Sequence, residues 1–167
     1  QKTADSSSSS SMSTSNVEPT SITTNLHSSS ITGIQWSSAS SSTLYTSSLD
    51  YSLKAFDTVR QDCVLTLNGS RVITCLAKNW DTDSVLATGH TDCNILLWDA
   101  RVDKSTGQQQ ASSSSFGSDQ ALKPDHKAWV TSVAWDPSNS FNLASTSHDG
   151  TVKMWDVRCS LPLYTLK

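Results

Sequence analysis

Two short segments contain the residue types of hydrolytic and zinc sites. Ser147, His148 and Asp149 supply a nucleophile, a base and an orienting acid, but catalytic triads are assembled from separated positions. Three consecutive side chains cannot adopt that geometry. His90 and Cys93 have the spacing of half a zinc site, yet a structural zinc needs four ligands and no second pair follows at suitable spacing. The sequence therefore predicts no catalytic residue, no metal site and no cofactor, and these side chains are interpreted as structural.

An internal repeat accounts for these residues. An aspartate precedes an aromatic residue by six positions in three segments, and a second aspartate follows each aromatic: SSLDYSLKAFD, TGHTDCNILLWD and STSHDGTVKMWD. The second aspartates, Asp57, Asp99 and Asp156, are 42 and 57 residues apart. The first spacing fits a four-stranded propeller blade of roughly 40–45 residues. The second includes a polar tract at 103–120, which we interpret as a surface loop inserted between repeats.

Each repeat is predicted to form four short antiparallel strands. In the last repeat the strands are AWVTSVAW, FNLASTS, TVKMWDV and PLYTLK, and the Asp149–Gly150 pair favours a tight hairpin between the second and third. A single blade cannot bury both of its faces, so blades must stack on one another. We therefore expect an all-β fold over residues 26–167, with blades at about 26–60, 66–102 and 124–167.

Composition limits the partners and the surroundings of the chain. Residues 1–25 are rich in serine and poor in apolar side chains, which predicts a disordered linker. The net charge of −3 and the pI near 5.7 argue against a nucleic-acid site, which needs a basic surface. No run of about 18 apolar residues is present, so no membrane span is expected. The cysteines form no CxxC pair and are interpreted as reduced structural thiols.

The segments resemble WD40 repeats over residues 26–167. In that family a histidine, a serine or threonine, an aspartate and a tryptophan form a hydrogen-bonded tetrad that ties the loop before a blade to its inner hairpin. The first repeat has Phe56, which has no indole N–H, and the second has Asn68 for the histidine and His90 for the serine. The tetrad residues that the resemblance implies are His27, Ser48, Asp50, Asp92, Trp98, His126, Ser147, Asp149 and Trp155. The family further implies a β-propeller of about seven blades, of which this chain would be a three-bladed fragment.

A narrower resemblance concerns the WD-repeat subunits of PeBoW (Pescadillo–Bop–WD-repeat) complexes. It rests on the runs NGSRVITCLA, LATGHTDCNILLWDARV and HKAWVTSVAWDPSNSFNLASTSHDGTVKMWDVRCSLPLYTL. The resemblance implies a non-catalytic scaffold in large (60S) ribosomal subunit biogenesis and rRNA maturation, located in the nucleolus and nucleoplasm. The implied partners are a Bop-type WD40 protein, a Pescadillo-type protein and the pre-60S particle. Members of this group also engage an AAA ATPase through an N-terminal domain that nothing in this sequence resembles.

The resemblance also indicates where partners would bind. In WD40 proteins the residue before the tetrad aspartate, and the residue three positions after the tetrad histidine, lie on the narrower rim of the propeller. The candidates here are Trp129, Arg71, Leu49 and His148. Tryptophan and arginine are favoured at interaction hot spots, although Trp129 could instead pack on a neighbouring blade.

A second functional hypothesis keeps the propeller and changes the partner. Many WD40 proteins are substrate receptors or adaptors in ubiquitin ligases, chromatin recognition or peroxisomal import. WDAR at 98–101 and WDVR at 155–158 are similar to the WDxR ending of WD40 proteins that bind ligase adaptors, although the ending also occurs elsewhere in the family. Both hypotheses exclude an enzyme and a small-molecule ligand.

Overall fold

The protein folds into antiparallel β-sheets. The computed structural model describes residues 25–100, 122, 125–159 and 161–167. Almost all of the predicted linker at 1–25, and the whole inserted tract at 103–120, lie outside these residues. Within the described ranges no helix is long and apolar enough to cross a membrane. The strands are β1 (Ile31–Trp36), β2 (Thr43–Ser48), β3 (Ser52–Asp57), β4 (Asp62–Asn68), β5 (Ile73–Lys78), β6 (Val85–His90), β7 (Ile95–Asp99), β8 (Val130–Trp135), β9 (Asn142–Ser147), β10 (Val152–Asp156) and β11 (Pro162–Leu166).

Each sheet is a meander in which neighbours along the chain are neighbours in space. The first sheet has the order β1-β2-β3-β4, the second β5-β6-β7, and the third β8-β9-β10-β11. In the second sheet, Leu122 forms an isolated antiparallel bridge to Ile95 of β7. This is the edge position that β4 and β11 hold in the other two sheets. In the chain, the tract at 103–120 lies between β7 and this edge residue, and its interpretation as a loop inserted between sequence repeats stays a prediction.

The sheets stack face to face and bury their apolar side chains between them. Leu53, Leu86 and Trp98 belong to the cluster between the first and second sheets, and Val130, Leu143 and Trp155 to the cluster between the second and third. This alternation follows from the strand period of two, which points every second side chain at the neighbouring sheet. The outward faces of the first and third sheets leave large apolar side chains more than half exposed: Ile34, Trp36, Tyr164 and Leu166.

Two glycines allow the sheets to approach closely. A Cβ on Gly33 would lie 2.6 Å from the Leu76 side chain of the second sheet. A Cβ on Gly89 would lie 2.5 Å from the Val130 side chain of the third sheet. Real Cβ atoms do not approach so closely, so any larger residue would push the sheets apart.

The turns divide between two ends of the stack. We call the end with the turns at 49–51, 91–94 and 148–151 the upper rim, and the end with the turns at 37–42, 79–84 and 136–141 the lower rim. In the upper-rim turns, Tyr51, Cys93 and Gly150 have positive φ values of 69°, 69° and 76°. Only the last is a glycine, so the backbone at Tyr51 and Cys93 is strained.

Candidate functional site

The third sheet contains a continuous hydrogen-bonded chain that joins its preceding loop to its central hairpin. The indole N–H of Trp155 donates to Ser145 Oγ at 2.7 Å, and this oxygen lies 2.7 Å from Nε2 of His126. The other ring nitrogen, Nδ1, lies 3.2 Å from Oδ2 of Asp149. Because an indole only donates and a carboxylate only accepts, Nδ1 carries a proton and the Ser145 hydroxyl donates to Nε2. Each donor in this four-residue network is therefore matched to an acceptor.

The serine that joins His126 to Trp155 is Ser145, so the expectation that Ser147 is the tetrad serine was wrong. The two residues lie two positions apart on β9 and share one face of the strand. Ser147 lies at the end of the strand, where its hydroxyl donates to the carbonyl of Ala128 at 2.9 Å and accepts from the N–H of Asp149 at 3.1 Å. It fixes the turn and does not reach Trp155.

The first sheet repeats this arrangement without the indole. Nε2 of His27 lies 2.8 Å from Thr46 Oγ1, and Nδ1 lies 3.0 Å from Asp50 Oδ2. Ser48, the expected partner, donates instead to a carbonyl of the preceding loop at 3.2 Å, so the expected serine was again two positions too late. Phe56 occupies the position of the tryptophan and supplies no N–H donor.

The second sheet obtains its imidazole from a different element. Trp98 donates to Thr88 Oγ1 at 2.7 Å, and this oxygen lies 2.8 Å from Nε2 of His90. The expectation that His90 replaces the serine was therefore wrong, because Thr88 supplies the hydroxyl and His90 the ring. Asn68 is exposed and does not take the histidine's place. A Cβ on Gly69 would lie 3.1 Å from the Tyr51 carbonyl oxygen and 3.2 Å from the Trp98 ring, so a larger residue here would have to displace its neighbours slightly.

In the second sheet, an ion pair takes the place of the histidine–aspartate contact that joins the preceding loop to the hairpin in the other two sheets. Nε of Arg71 lies 3.3 Å from Oδ2 of Asp92, which also accepts from the side-chain amide of Asn94 at 2.9 Å. Burial, opposed in part by the Asp92 carboxylate, lowers the pKa of His90 below its ordinary value. Within the described residues, Nδ1 of His90 has no hydrogen-bond partner.

The carboxylates at the ends of these chains are fully engaged. Burial alone would raise the pKa of Asp149, but hydrogen bonds from Thr151, Lys127 and His126 hold it well below its usual range. The same balance, with Ser52 as the first donor, lowers the pKa of Asp50. A carboxylate with so many donors is an anchor for backbone and side chains, and it has no free lone pair to act as a general base.

The residue types of hydrolytic and zinc sites do not assemble into a site. The Ser147 hydroxyl is bonded to the loop carbonyl, and the His148 ring lies edge-on to Trp129 with centroids 6.1 Å apart. Cys93 is a turn residue with positive φ, and the four cysteines are free. Among the described residues, no group of three or more His, Cys, Asp or Glu side chains could hold a metal ion.

The candidate rim residues all lie on the upper rim, but only two of them meet. Trp129 is 56% exposed, and its carbonyl accepts from the N–H of His148 at 3.0 Å, so backbone and rings hold the pair together. Leu49 is 38% exposed on the equivalent turn of the first sheet. Arg71 is exposed but engaged with Asp92. The upper rim therefore presents an aromatic pair held by a backbone hydrogen bond and, on the second sheet, a cation paired with its own carboxylate.

Comparisons with known proteins agree with the repeat pattern. The profile of the family described as "WD domain, G-beta repeat" matches residues 61–99 and 117–156. Each match ends at the aspartate after the tryptophan, and the first includes β4 of the first sheet together with β5, β6 and β7 of the second. The sequence repeat is thus offset by one strand from the sheet, so each repeat unit links two sheets.

Several curated relatives share one description. A "Ribosome biogenesis protein WDR12 homolog" from Chlamydomonas reinhardtii is 33% identical over 80% of this chain and 28% of its own length. A protein of the same description from Dictyostelium discoideum is 44% identical over 49% of this chain and 16% of its own length. "Ribosome biogenesis protein YTM1" from Saccharomyces cerevisiae strain S288c is 36% identical over 73% of this chain and 24% of its own length. The chain thus spans less than a third of each relative.

A solved structure has the same arrangement of sheets. A chain of the structure described as "Crystal Structure of Mitotic Checkpoint Complex" superimposes with a TM-score of 0.62 and 25% identity. The superposition covers 81% of this chain and 36% of the other.

Proposed function

Because the chain carries WD40 repeats folded as blades of a β-propeller, we propose that it is a non-catalytic protein-interaction scaffold in ribosome biogenesis. The relatives described above are named as ribosome biogenesis proteins, and those from Chlamydomonas reinhardtii and Saccharomyces cerevisiae match 80% and 73% of this chain. In finer terms, the scaffold acts in large-subunit maturation in the nucleolus and nucleoplasm. It binds a Bop-type WD40 protein within a PeBoW-like complex, together with a Pescadillo-type protein and the pre-60S particle. An AAA ATPase is a further proposed partner, through an N-terminal domain that nothing in residues 1–167 resembles.

The observation that supports a scaffold most directly is the contrast between the engaged tetrads and the exposed aromatic pair. The imidazoles of His27 and His126 are bonded through both nitrogens, so neither of these two rings is free to act as a base. Trp129, in contrast, exposes more than half of its surface, and its backbone carbonyl is bonded to the N–H of His148. A pre-positioned aromatic side chain loses little conformational entropy on binding and is favoured at interaction hot spots.

The test is an affinity purification of the full-length protein at moderate salt, with mass spectrometry of the proteins recovered. The wild type is compared with Trp129→Ala and with Trp80→Ala, a matched control that is 61% exposed on the lower rim. We expect Bop-type and Pescadillo-type proteins with the wild type and with Trp80→Ala, and a loss of at least about ten-fold with Trp129→Ala. Undiminished recovery of these proteins with Trp129→Ala would exclude this part of the upper rim as the binding surface.

The adaptor hypothesis predicts a different set of recovered proteins. In the second WDxR ending, Arg158 donates to both carboxylate oxygens of Asp156 at 2.9 and 2.6 Å and lies 4.3 Å from the Phe141 ring centre. This arginine is committed to contacts within its own sheet, and Arg101 of the first ending lies outside the described residues. Recovery of a ubiquitin-ligase adaptor, a chromatin complex or an import receptor would overturn the ribosome-biogenesis assignment.

A further inference from the structure

A pocket of about 360 Å³ lies beside Asp149 on the upper rim, next to the hydrogen-bonded chain of the third sheet. Its lining includes three lysines and two aspartates: Lys127, Lys153, Lys167, Asp125 and Asp149. Three positive and two negative side chains give the pocket a net charge of +1. A concave surface with a net charge concentrates ions of the opposite sign, so this pocket favours an anion.

Lys153 is the buried cation of this pocket. The residue is 6% exposed, and its Nζ donates to Oδ2 of Asp125 and, at 3.0 Å, to Oγ1 of Thr165. An ammonium group carries three N–H donors, and the third has no acceptor among the described residues. The pocket wall therefore contains a charged group that burial and two hydrogen bonds hold in place and that keeps one unused donor.

Lys127 and Lys167 are the exposed cations of this pocket, and within the described ranges neither side chain is paired with a carboxylate. Asp125 is paired with Lys153. The oxygens of Asp149 accept from the donors described above. The two exposed ammonium groups are therefore free to bind an external anion.

The corresponding pocket beside Asp50 of the first sheet lacks this charge. Ser28 follows the histidine there, where the third sheet has Lys127, and Asn68 lies at the upper end of the edge strand, where the third sheet has Lys167. The single lysine of the first pocket donates to a backbone carbonyl at 2.6 Å. With its histidine neutral, one lysine and one aspartate give that pocket no net charge. The two pockets hold the same place in their sheets but suit different ligands.

The charge of the third-sheet pocket favours a carboxylate over a phosphate. One carboxylate brings the lining to neutrality, whereas a phosphate carries about −1.5 to −2 charges at pH 7 and would leave excess negative charge beside Asp125. Carboxylates also form short, charge-assisted hydrogen bonds with ammonium groups. Lys127 lies two residues before Trp129, so one loop carries both a cation of the pocket and the exposed indole.

We propose that this pocket binds the carboxylate of a glutamate or aspartate side chain of the protein partner that contacts the upper rim, with the ammonium groups of Lys127 and Lys167 donating to its oxygens. The proposal rests on the scaffold function proposed above and adds the chemistry by which the partner is recognised. An acidic contact in the pocket and an aromatic contact on Trp129 together fix the orientation of the partner, because the two contacts accept different side chains.

The direct test is an NMR titration of the full-length protein, labelled with ¹³C at the lysine ε carbons, with N-acetyl-glutamate methylamide at low salt. The Lys153 resonance is assigned by its absence in Lys153→Arg. We expect a saturable shift of this resonance in the wild type. N-acetyl-glutamine methylamide has nearly the same shape without the charge, and we expect it to bind about ten-fold more weakly or worse. No shift with the glutamate probe, equal affinity for the two probes, or tighter binding of inorganic phosphate would overturn the proposal.

A matched pair of double variants locates the binding. Lys127→Ser with Lys167→Asn introduces the residues of the first-sheet pocket, and we expect it to abolish binding of the glutamate probe. Lys127→Arg with Lys167→Arg keeps both charges, and binding should persist. All four substitutions replace exposed side chains, so the urea midpoint should not change. Loss of binding in both double variants, or in neither, would show that the probe is not held by these two charges.

The titration needs no partner, so its outcome is independent of the affinity purification. In that purification, the Lys127→Ser and Lys167→Asn double variant should recover less of the proteins that Trp129→Ala loses. Undiminished recovery, with the probe still bound by the wild type, would overturn the assignment of the carboxylate to this partner and leave the scaffold function standing. Recovery of an unrelated set of proteins by the wild type would instead overturn the scaffold function and leave the carboxylate site standing.

Discussion

Replacement of Ser145 by alanine should destabilise the protein far more than replacement of Ser147. Ser145 is 1% exposed, and its hydroxyl is hydrogen-bonded to both Trp155 and His126. Its removal leaves two buried polar atoms without partners, the indole N–H and the imidazole Nε2. Each such atom costs about 1–3 kcal/mol, so we expect the free energy of unfolding to fall by about 2–6 kcal/mol. Ser147→Ala removes one partly buried hydroxyl at a strand end and should cost about 1 kcal/mol.

The assay is urea unfolding of the full-length protein, followed by tryptophan fluorescence and by circular dichroism. With a urea dependence of about 2 kcal/mol per molar, Ser145→Ala should lower the midpoint by about 1–3 M and Ser147→Ala by about 0.5 M. Ser145→Thr is the control, and it should be close to neutral because Thr46 and Thr88 fill the same role in the other sheets. A midpoint for Ser147→Ala as low as that of Ser145→Ala would refute the hydrogen-bond assignment.

Three further predictions follow from the same networks. Phe56→Trp supplies the missing indole donor to Thr46, so it should stabilise the first sheet by about 1 kcal/mol; an unchanged urea midpoint would contradict this. Cys93→Gly relieves a backbone with φ of 69°, and it should stabilise by about 0.5–1 kcal/mol after the entropy of glycine is deducted; a lower melting temperature would show that the turn is unstrained. The pKa of Asp149 is lowered in the folded state, so its stabilisation is complete above the unfolded pKa of about 3.9 and is lost as the pH falls through the folded value. The free energy of unfolding, measured from pH 6 to pH 2, should therefore fall more steeply in the wild type than in Asp149→Asn. Parallel curves would exclude this carboxylate as a source of acid sensitivity.

Local patterns in the sequence identified the repeat and most of the members of the hydrogen-bonded chains. The position of Asp149 before a positive-φ glycine, six residues before Trp155, follows from hairpin chemistry and strand alternation, both of which act over a few residues. His126 could be found because it recurs at a fixed distance from its aspartate. The sequence also led to the family, which the repeat matches support.

Local patterns could not identify which serine of β9 supplies the hydroxyl that accepts from Trp155. Ser145 and Ser147 share one face of β9, and the sequence does not reveal which of them lies within reach of Trp155 across the strands. Likewise, His90 lies one strand away from the loop that supplies the imidazole in the other sheets. That exchange is visible only when Thr88 is seen between His90 and Trp98.

Short sequence patterns predicted the all-β repeat, the turns and most residue types of the networks, because periodicity, turn preference and hydrogen-bonding capacity are properties of short segments. Only the folded arrangement shows which of these side chains meet. In it, Ser147 is bonded to a loop carbonyl, Trp129 lies exposed beside His148, and Arg71 pairs with Asp92. Those outcomes depend on contacts between residues that are distant in the chain, and the depth and spacing of the packed sheets set them.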